Sequence, residues 1–227
     1  SFVICCEYVV NFHTFAILRP GLRVRIADMT YDLFLALLGF AFVTSVTPGP
    51  NNMMLLASGV NFGFRRTVPH MLGISIGHAV MVFLVGLGLA GVFRAWPPAL
   101  MGLKVASVAY MLWLAWKIAQ SGAPGEGRAK ATPMTFLQAA AFQWVNPKAW
   151  AMALGAVSAY VTEPSLWAYA AVAGAFSLVN LPSVSLWAGA GQAVRRWLEG
   201  PGRLRAFNWG MAGLLVLSLW PVVMMEM

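Results

Sequence analysis

Charged residues are scarce in this sequence, and acidic residues are the scarcest. Of the 227 residues, 15 are Lys or Arg and 7 are Asp or Glu, so that 10% of the chain is charged and 60% is hydrophobic. A typical soluble domain carries about 25% charged residues. The composition therefore excludes a soluble globular protein and indicates that a lipid bilayer is the solvent for most of the chain.

Cysteine is almost absent as well. The two cysteines, Cys5 and Cys6, are adjacent and lie near the N-terminus. Neighbouring cysteines rarely pair with each other, so the sequence predicts neither a disulfide framework nor a thiolate metal site. Paired carboxylates and nucleophile–base pairs are not visible either, which argues against a membrane-embedded enzyme and against a cofactor.

Long uncharged segments make up most of the sequence. A helix needs about 20 apolar residues to cross a hydrocarbon core roughly 30 Å thick. Segments of this kind have no charge, a single Lys148, or lysines only near their ends, and they cover residues 33–64, 67–93, 99–119, 131–162, 164–194 and 206–225. We predict an all-α membrane protein of about six transmembrane helices, with no soluble domain.

The first 28 residues differ from the rest of the chain. They mix cysteines and arginines with scattered apolar residues and lack the cleavage site of a secretory signal. We expect residues 1–28 to be a non-native or disordered N-terminal extension and residues 29–227 to be a six-span transporter domain. A short amphipathic surface segment is the alternative for residues 1–28.

Basic residues concentrate in alternate loops, which predicts the orientation in the membrane. Loops rich in Lys and Arg stay in the cytoplasm. The loops after spans one, three and five are the basic ones, with Arg65, Arg66, Lys117, Arg128, Lys130, Arg195, Arg196, Arg203 and Arg205. Odd-numbered spans should therefore end in the cytoplasm, and both ends of a chain starting at Met29 should be periplasmic. A net charge of +8 could also suggest nucleic-acid binding, but most of the basic residues lie between the spans, where they orient a membrane protein. We therefore expect no nucleic-acid partner.

Proline and polar residues interrupt two of the predicted spans. Span one contains residues 47–52, with the sequence TPGPNN, and span four contains residues 146–148, with the sequence NPK. Proline removes a helical hydrogen bond, and an opened backbone is tolerated in lipid only where protein covers it or it lines a wet cavity. Span one is the first of three spans, span four is the first of the next three, and the two run in opposite directions. We therefore predict a 3+3 inverted repeat with broken helices one and four. Ordinary proline kinks are the alternative.

The broken helices supply the candidate binding residues. Amides suit a zwitterion, and the freed N–H groups of a half-helix favour a carboxylate. The predicted substrate-binding residues are Thr47, Pro48, Gly49, Pro50, Asn51, Asn52, Asn146, Pro147, Lys148 and Asn180. The amides could instead cap the broken helix, and Lys148 could tie open carbonyls or extend to the interface. Asn180 with Pro182 is predicted to form a third, weaker break, in span five.

Proton coupling has one candidate residue in the sequence. His78 lies midway along span two and could carry a proton, although a helix–helix hydrogen bond is the alternative. Deep Asp and Glu residues are missing from the spans, so the usual carboxylate relay and a divalent-metal pathway are not expected. On the same span, Gly73 and Gly77 lie one turn apart, which predicts close helix packing or a dimer contact.

The motifs together resemble a known family. The segment TPGPNNMMLLASGVNFGFRRT at residues 47–67, the glycine-rich helix after it and NPKAW at residues 146–150 are similar to the LysE/RhtB family of amino-acid exporters, over residues 29–225. The resemblance implies a multi-pass transporter of the bacterial inner membrane that exports amino acids or close derivatives and is coupled to the proton gradient. It leaves the substrate and a homodimer open. A small-solute or ion channel is the alternative function.

Overall fold

The computed structural model describes residues 25–26, 29–96, 98–121, 132–198 and 201–220. Apart from residues 25–26, the predicted N-terminal extension lies outside these ranges. Within them the chain is helical except for one short ladder, in which Arg25–Ile26 (β1) pairs antiparallel with Met29–Thr30 (β2). The prediction of an all-α fold is confirmed for the transporter part of the chain.

The first half of the chain is built from three long helical runs. Thr30 is the N-cap of the first helix, and its side chain accepts a hydrogen bond from the N–H of Leu33. Gly63, with a φ of 82°, ends one helix and starts the next. The helices are α1 (Tyr31–Val46), α2 (Pro50–Phe62), α3 (Phe64–Leu84), which passes through a π-helical turn (Val85–Leu89) into α4 (Ala90–Ala95), and α5 (Pro98–Ala119).

The second half begins with a second broken helix. Thr135 and Gln138 form a capping box at its start, and Ser165 caps the long helix that follows. The helices are α6 (Phe136–Val145), α7 (Pro147–Tyr160), α8 (Leu166–Arg195), which ends in a 3₁₀ turn (Arg196–Leu198), and α9 (Pro201–Leu217).

Both predicted breaks are present. Helix α1 ends at Val46 and α2 starts at Pro50, with a bend of 55° between them. Helix α6 ends at Val145 and α7 starts at Pro147. The two predictions are confirmed. The proline at each site has no backbone N–H to donate to the carbonyl four residues earlier, which favours an end to the helix there.

The prediction of a third break at Asn180 and Pro182 is wrong. Helix α8 continues through Pro182. A single proline removes one backbone hydrogen bond, whereas α8 packs along much of its length against α1, α2 and α3. Packing on three neighbours therefore keeps this helix continuous where the sequence alone suggested an opening.

Several helices are long and apolar enough to cross a bilayer. By length and hydropathy the described residues provide three, Phe64–Phe93, Pro98–Ala119 and Leu166–Leu198, and the bent pair α1–α2 makes a fourth if it is one span. The pair α6–α7 and the 17-residue α9 do not meet this measure. A multi-helix membrane architecture is thus confirmed, whereas the count of six stays a prediction.

The exterior of the bundle is apolar, as a bilayer requires. Phe42, Val105, Leu178 and Leu186 are each more than half exposed. The interior holds smaller side chains and closely spaced helices, of which α3 and α6 are an example. A Cβ added to Gly77 would lie 2.6 Å from the Cα of Ala140, so the helices meet where glycine permits it. The predicted packing role of the Gly73–Gly77 pair is confirmed.

Candidate functional site

Lys148 connects the two broken helices. Its Nζ donates hydrogen bonds to the backbone oxygen of Thr47 at 2.7 Å and to Oγ1 of Thr47 at 2.9 Å, with the oxygen of Pro48 at 3.5 Å. Lys148 lies in the first turn of α7, whereas Thr47 and Pro48 lie in the opening between α1 and α2. The lysine of the second break thus satisfies carbonyls exposed by the first, which is one of the two roles left open for it.

Two other side chains satisfy the remaining carbonyls at the end of α1. Asn52 donates from Nδ2 to the backbone oxygens of Ser45 and Thr47, both at 2.8 Å. The indole N–H of Trp187 donates to the oxygen of Val46 at 3.1 Å. Because α2, α7 and α8 each supply a donor, the opened backbone is paired within protein, as the interior of a membrane demands. Asn52 therefore caps the broken helix.

A reciprocal amide pair joins α2 to α6. Asn51 Nδ2 donates to Gln143 Oε1 at 2.9 Å, and Gln143 Nε2 donates back to Asn51 Oδ1 at 3.2 Å. Gln143 is fully buried and also donates to the oxygen of Ala139. Sequence reasoning missed Gln143. Its only signal was a glutamine in an apolar helix three residues before the NPK motif, where an amide needs a polar partner.

Residues at the N-termini of α2 and α7 line the same cavity, but the two helices differ in capping. Asn146 Oδ1 accepts the N–H of Lys148 at 3.1 Å and so caps α7. Helix α2 starts after Gly49 with no side-chain cap. The N–H groups of Asn51 and Asn52 in its first turn lack intrahelical acceptors, as in any helix. Uncapped N–H groups and the helix dipole favour an anion.

A cavity of about 20 Å³ lies where the broken helices meet. This is room for roughly one water molecule. Of the predicted site residues, the cavity wall contains Gly49, Asn51, Asn52, His78, Asn146, Lys148 and Asn180. Thr47, Pro48, Pro50 and Pro147 are not among its lining residues; they form the breaks. Sequence reasoning missed the lining residues Thr44, Ser45 and Gln143.

Two buried polar groups in the wall of this cavity have no hydrogen-bond partner within the described part of the chain. They are the imidazole of His78, which is 2% exposed, and the hydroxyl of Ser45. The ring of His78 packs edge-on against Phe176, with the centroids 5.1 Å apart. A buried polar group without a partner is costly. These two groups are therefore places where water or a ligand would gain hydrogen bonds.

The charge of the site has one sign. Lys148 and two helix N-termini contribute positive potential, and the described residues that line the cavity include no Asp or Glu. In the described ranges, His, Cys, Asp and Glu do not form a group that could hold a metal ion. The site suits a carboxylate with neutral polar surroundings.

A helical bundle with an apolar surface and a small polar cavity between two broken helices fits the architecture of a membrane transporter. The sequence profile of the LysE type translocator family matches residues 42–219, and the chain belongs to that family. The resemblance stated from the motifs is confirmed. The protein is accordingly a multi-pass membrane transporter and not an enzyme.

Relatives with assigned names agree with this family. A cysteine/O-acetylserine efflux protein of Escherichia coli is 33% identical over 181 residues, which cover 77% of this chain and 90% of the relative. The protein of the same name from Klebsiella pneumoniae subsp. pneumoniae is 31% identical over 194 residues, or 83% of this chain and 95% of the relative. A significant match to a solved structure was not found.

Proposed function

We propose that the protein exports small neutral amino acids or their close derivatives across the bacterial inner membrane, coupled to the proton gradient. The relatives named as cysteine/O-acetylserine efflux proteins support the direction and the substrate class. The observation that carries the proposal is the cavity between the broken helices, where an ammonium, an uncapped helix N-terminus and several amides converge.

The lining residues are matched to a zwitterion. The substrate carboxylate binds the ammonium of Lys148 and the free N–H groups at the start of α2. The amide oxygens of Asn51 and Asn180 are acceptors for the substrate ammonium. A cationic side chain has no carboxylate to pair with among the described lining residues. Short, polar and uncharged side chains, such as those of cysteine and O-acetylserine, are therefore preferred over those of lysine and arginine.

We further propose six spans arranged as a 3+3 inverted repeat. In such a repeat α1–α2 corresponds to α6–α7, α3 to α8 and α5 to α9. A two-fold axis would exchange the contact of α1 with α8 for that of α6 with α3, and both pairs of helices are packed together. The helices that would face their own equivalents, α3 with α8 and α5 with α9, are also in contact.

Proton coupling is proposed to involve His78. Its imidazole lines the cavity without a hydrogen-bond partner in the described structure, so it can exchange a proton with substrate or water when the cavity opens. At about 20 Å³ the cavity is too small for an amino acid. Transport then requires a conformational change that enlarges it toward one side of the membrane and afterwards toward the other.

Export from cells tests the proposal. Cells that lack their own amino-acid exporters would produce the full chain, and the medium would be analysed for cysteine, O-acetylserine and the common amino acids. We expect accumulation of cysteine or O-acetylserine, and its loss on addition of an uncoupler. Export that persists in the uncoupler would favour a channel. If the inserted protein exports none of these compounds, the proposed function is wrong.

A further inference from the structure

A second, larger cavity lies at the other end of α2. Its volume is about 520 Å³, within the range of roughly 300–1,000 Å³ that is usual for small-molecule sites. Helices α2, α3 and α5 and the segment before α6 form its wall, with polar side chains from Ser58, Asn61, His70, Lys117 and Gln120. It shares no lining residue with the cavity between the broken helices.

His70 indicates that this cavity takes a ligand. The side chain is 1% exposed, lines the cavity, and neither ring nitrogen has a hydrogen-bond partner within the described ranges. By contrast, the neighbouring polar groups are paired. Ser58 Oγ lies 2.8 Å from Thr67 Oγ1, and Asn61 exchanges two amide hydrogen bonds with Asn208. The imidazole is therefore the buried group of this wall that a ligand would satisfy.

The charge at the mouth of the cavity defines the ligand further. Lys117 is exposed there, with its Nζ 4.7 Å from the ring centroid of Trp113, and the described lining residues include no Asp or Glu. An ammonium at the mouth attracts a carboxylate, whereas the imidazole nitrogen of His70 can accept from an amino group. This arrangement fits a neutral amino acid and is unfavourable for a basic one.

An apolar layer separates the two cavities. Along α2, Asn51 and Asn52 line the first cavity, and Met54, less than one turn further on, lines the second. Met54 is 4% exposed and belongs to one buried cluster with Phe142, whose neighbour Gln143 lines the first cavity. A solute that moved along α2 would therefore leave one polar cavity, pass this layer and reach the other.

We propose that the second cavity is a loading site, which binds the neutral amino acid at the basic, cytoplasmic end before it crosses the layer of Met54 and Phe142. The direction of traffic rests on the proposed function, but binding in the cavity does not. Arg65, Arg66 and Lys117 lie at this end of the bundle, and the bias of basic residues toward the cytoplasm assigns the side.

Substrate protection of a cysteine tests the loading site. In a chain with Cys5→Ser and Cys6→Ser, Gln120→Cys puts one thiol in the cavity wall, where the native side chain is exposed. Inside-out vesicles would be treated with a membrane-impermeant maleimide, with and without O-acetylserine, which has no thiol to compete. At a concentration ten times its Kd, O-acetylserine should slow labelling about tenfold. Arginine at the same concentration should not.

Matched variants separate binding from a general effect of the ligand. Arg66→Cys lies at the same end of the bundle, is exposed and is outside the cavity wall, so O-acetylserine should leave its labelling unchanged. Lys117→Gln should raise the concentration needed for protection about tenfold, as expected for loss of a charge-assisted hydrogen bond. Lys104→Gln, at the other end of α5, should not change it.

The outcomes distinguish the loading site from export itself. Protection of Gln120→Cys that Lys117→Gln weakens supports the site, and if the same cells export no amino acid, only the proposed function fails. Export of O-acetylserine without protection, at concentrations that saturate export, overturns the loading site alone. Equal protection of Arg66→Cys would also overturn it.

Discussion

At the scale of single residues, the first break is held by donors from elsewhere in the chain. Lys148, Asn52 and Trp187 each donate to a carbonyl between Ser45 and Pro48. Each donor belongs to a different helix, so the positions of three helices determine the shape of the opening. The oxygen of Thr47 accepts from both Lys148 and Asn52, whereas Asn52 is the side-chain donor to the oxygen of the buried Ser45, so its removal should cost about 1–3 kcal/mol.

Lys148 is expected to matter for both stability and transport. Lys148→Met keeps most of the side-chain volume and removes the ammonium, so it should lower the free energy of unfolding by about 1–3 kcal/mol and abolish export. Thermal unfolding in detergent and export of O-acetylserine per inserted protein measure the two effects. Lys104→Met is the matched control, because it removes a lysine from a helix that does not line the cavity. Wild-type export by Lys148→Met would contradict the role given to this residue.

The Asn51–Gln143 pair is expected to behave as one unit. Because the two amides are reciprocal partners, Asn51→Ala and Gln143→Ala should each lower the free energy of unfolding. The double variant should lose about 0.5–3 kcal/mol less than the sum of the two single losses. A double-mutant cycle on thermal stability measures this coupling energy. Asn51→Ala combined with Ser185→Ala is the control, since the hydroxyl of Ser185 donates to the oxygen of Leu181 in its own helix and the two changes should add. Additivity in the first cycle would show that the pair does not stabilise the site.

Part of the site could be predicted from residue types alone. Amides and a lysine within apolar spans are costly unless they have a function or a partner, and Asn51, Asn52, Asn146, Lys148 and Asn180 all line the cavity. The identity of their partners could not be predicted. Gln143 and Trp187 are 92 and 141 residues away from the groups they meet at Asn51 and Val46, and only the packing of the helices brings them there.

At the scale of helices, the number of prolines does not decide whether a helix opens. Pro48 and Pro50 flank a glycine and the helix breaks there, whereas Pro182 is accommodated inside the 30-residue α8. The difference follows from the neighbours of each proline. Gly49, between its two prolines, has an extended backbone, whereas the residues that follow Pro182, Ser183 and Val184, are buried against neighbouring helices although Pro182 itself is exposed. For this reason the sequence predicted two breaks correctly and the third wrongly.

Straightening the first break should stop transport without preventing insertion. Pro48→Ala combined with Pro50→Ala restores two backbone N–H groups, allows α1 and α2 to form one helix and removes the bend of 55°. Export should be lost while the amount of protein in the membrane stays unchanged, as measured by export and by quantitative blotting of membranes. Pro182→Ala, a proline variant in an unbroken helix, should export like the wild type. Normal export by the Pro48 and Pro50 variant would show that the opening is not needed.

At the scale of the whole molecule, the surface is apolar and the interior holds a polar set of side chains within apolar clusters. Large apolar side chains cover the outside, while amides, hydroxyls and imidazoles are inside. Composition alone predicted this, since so few residues are charged. The count of spans is harder to derive, because α6, α7 and α9 are separate helices of 10, 14 and 17 residues, each shorter than the about 20 residues that one crossing needs.

The charge distribution makes a testable prediction of topology. In a chain with Cys5→Ser and Cys6→Ser, Arg66→Cys should react with an impermeant maleimide in inside-out vesicles and not in spheroplasts. Glu163→Cys, in the loop between α7 and α8, should show the opposite pattern. Detergent-treated membranes, in which both thiols should react, control for intrinsic reactivity. The reverse labelling pattern would require the opposite orientation of the whole bundle.

The bonds of Lys148 bear on what the transporter does when it is empty. In the proposed function a substrate carboxylate binds the ammonium of Lys148, which in this structure donates to the two oxygens of Thr47 instead. Loading is then an exchange of one oxygen ligand for another, with little net change in the solvation of the lysine. On the proposed role of Lys148, we therefore expect the empty carrier to need no water or ion at this position, and so to leak little between transport events.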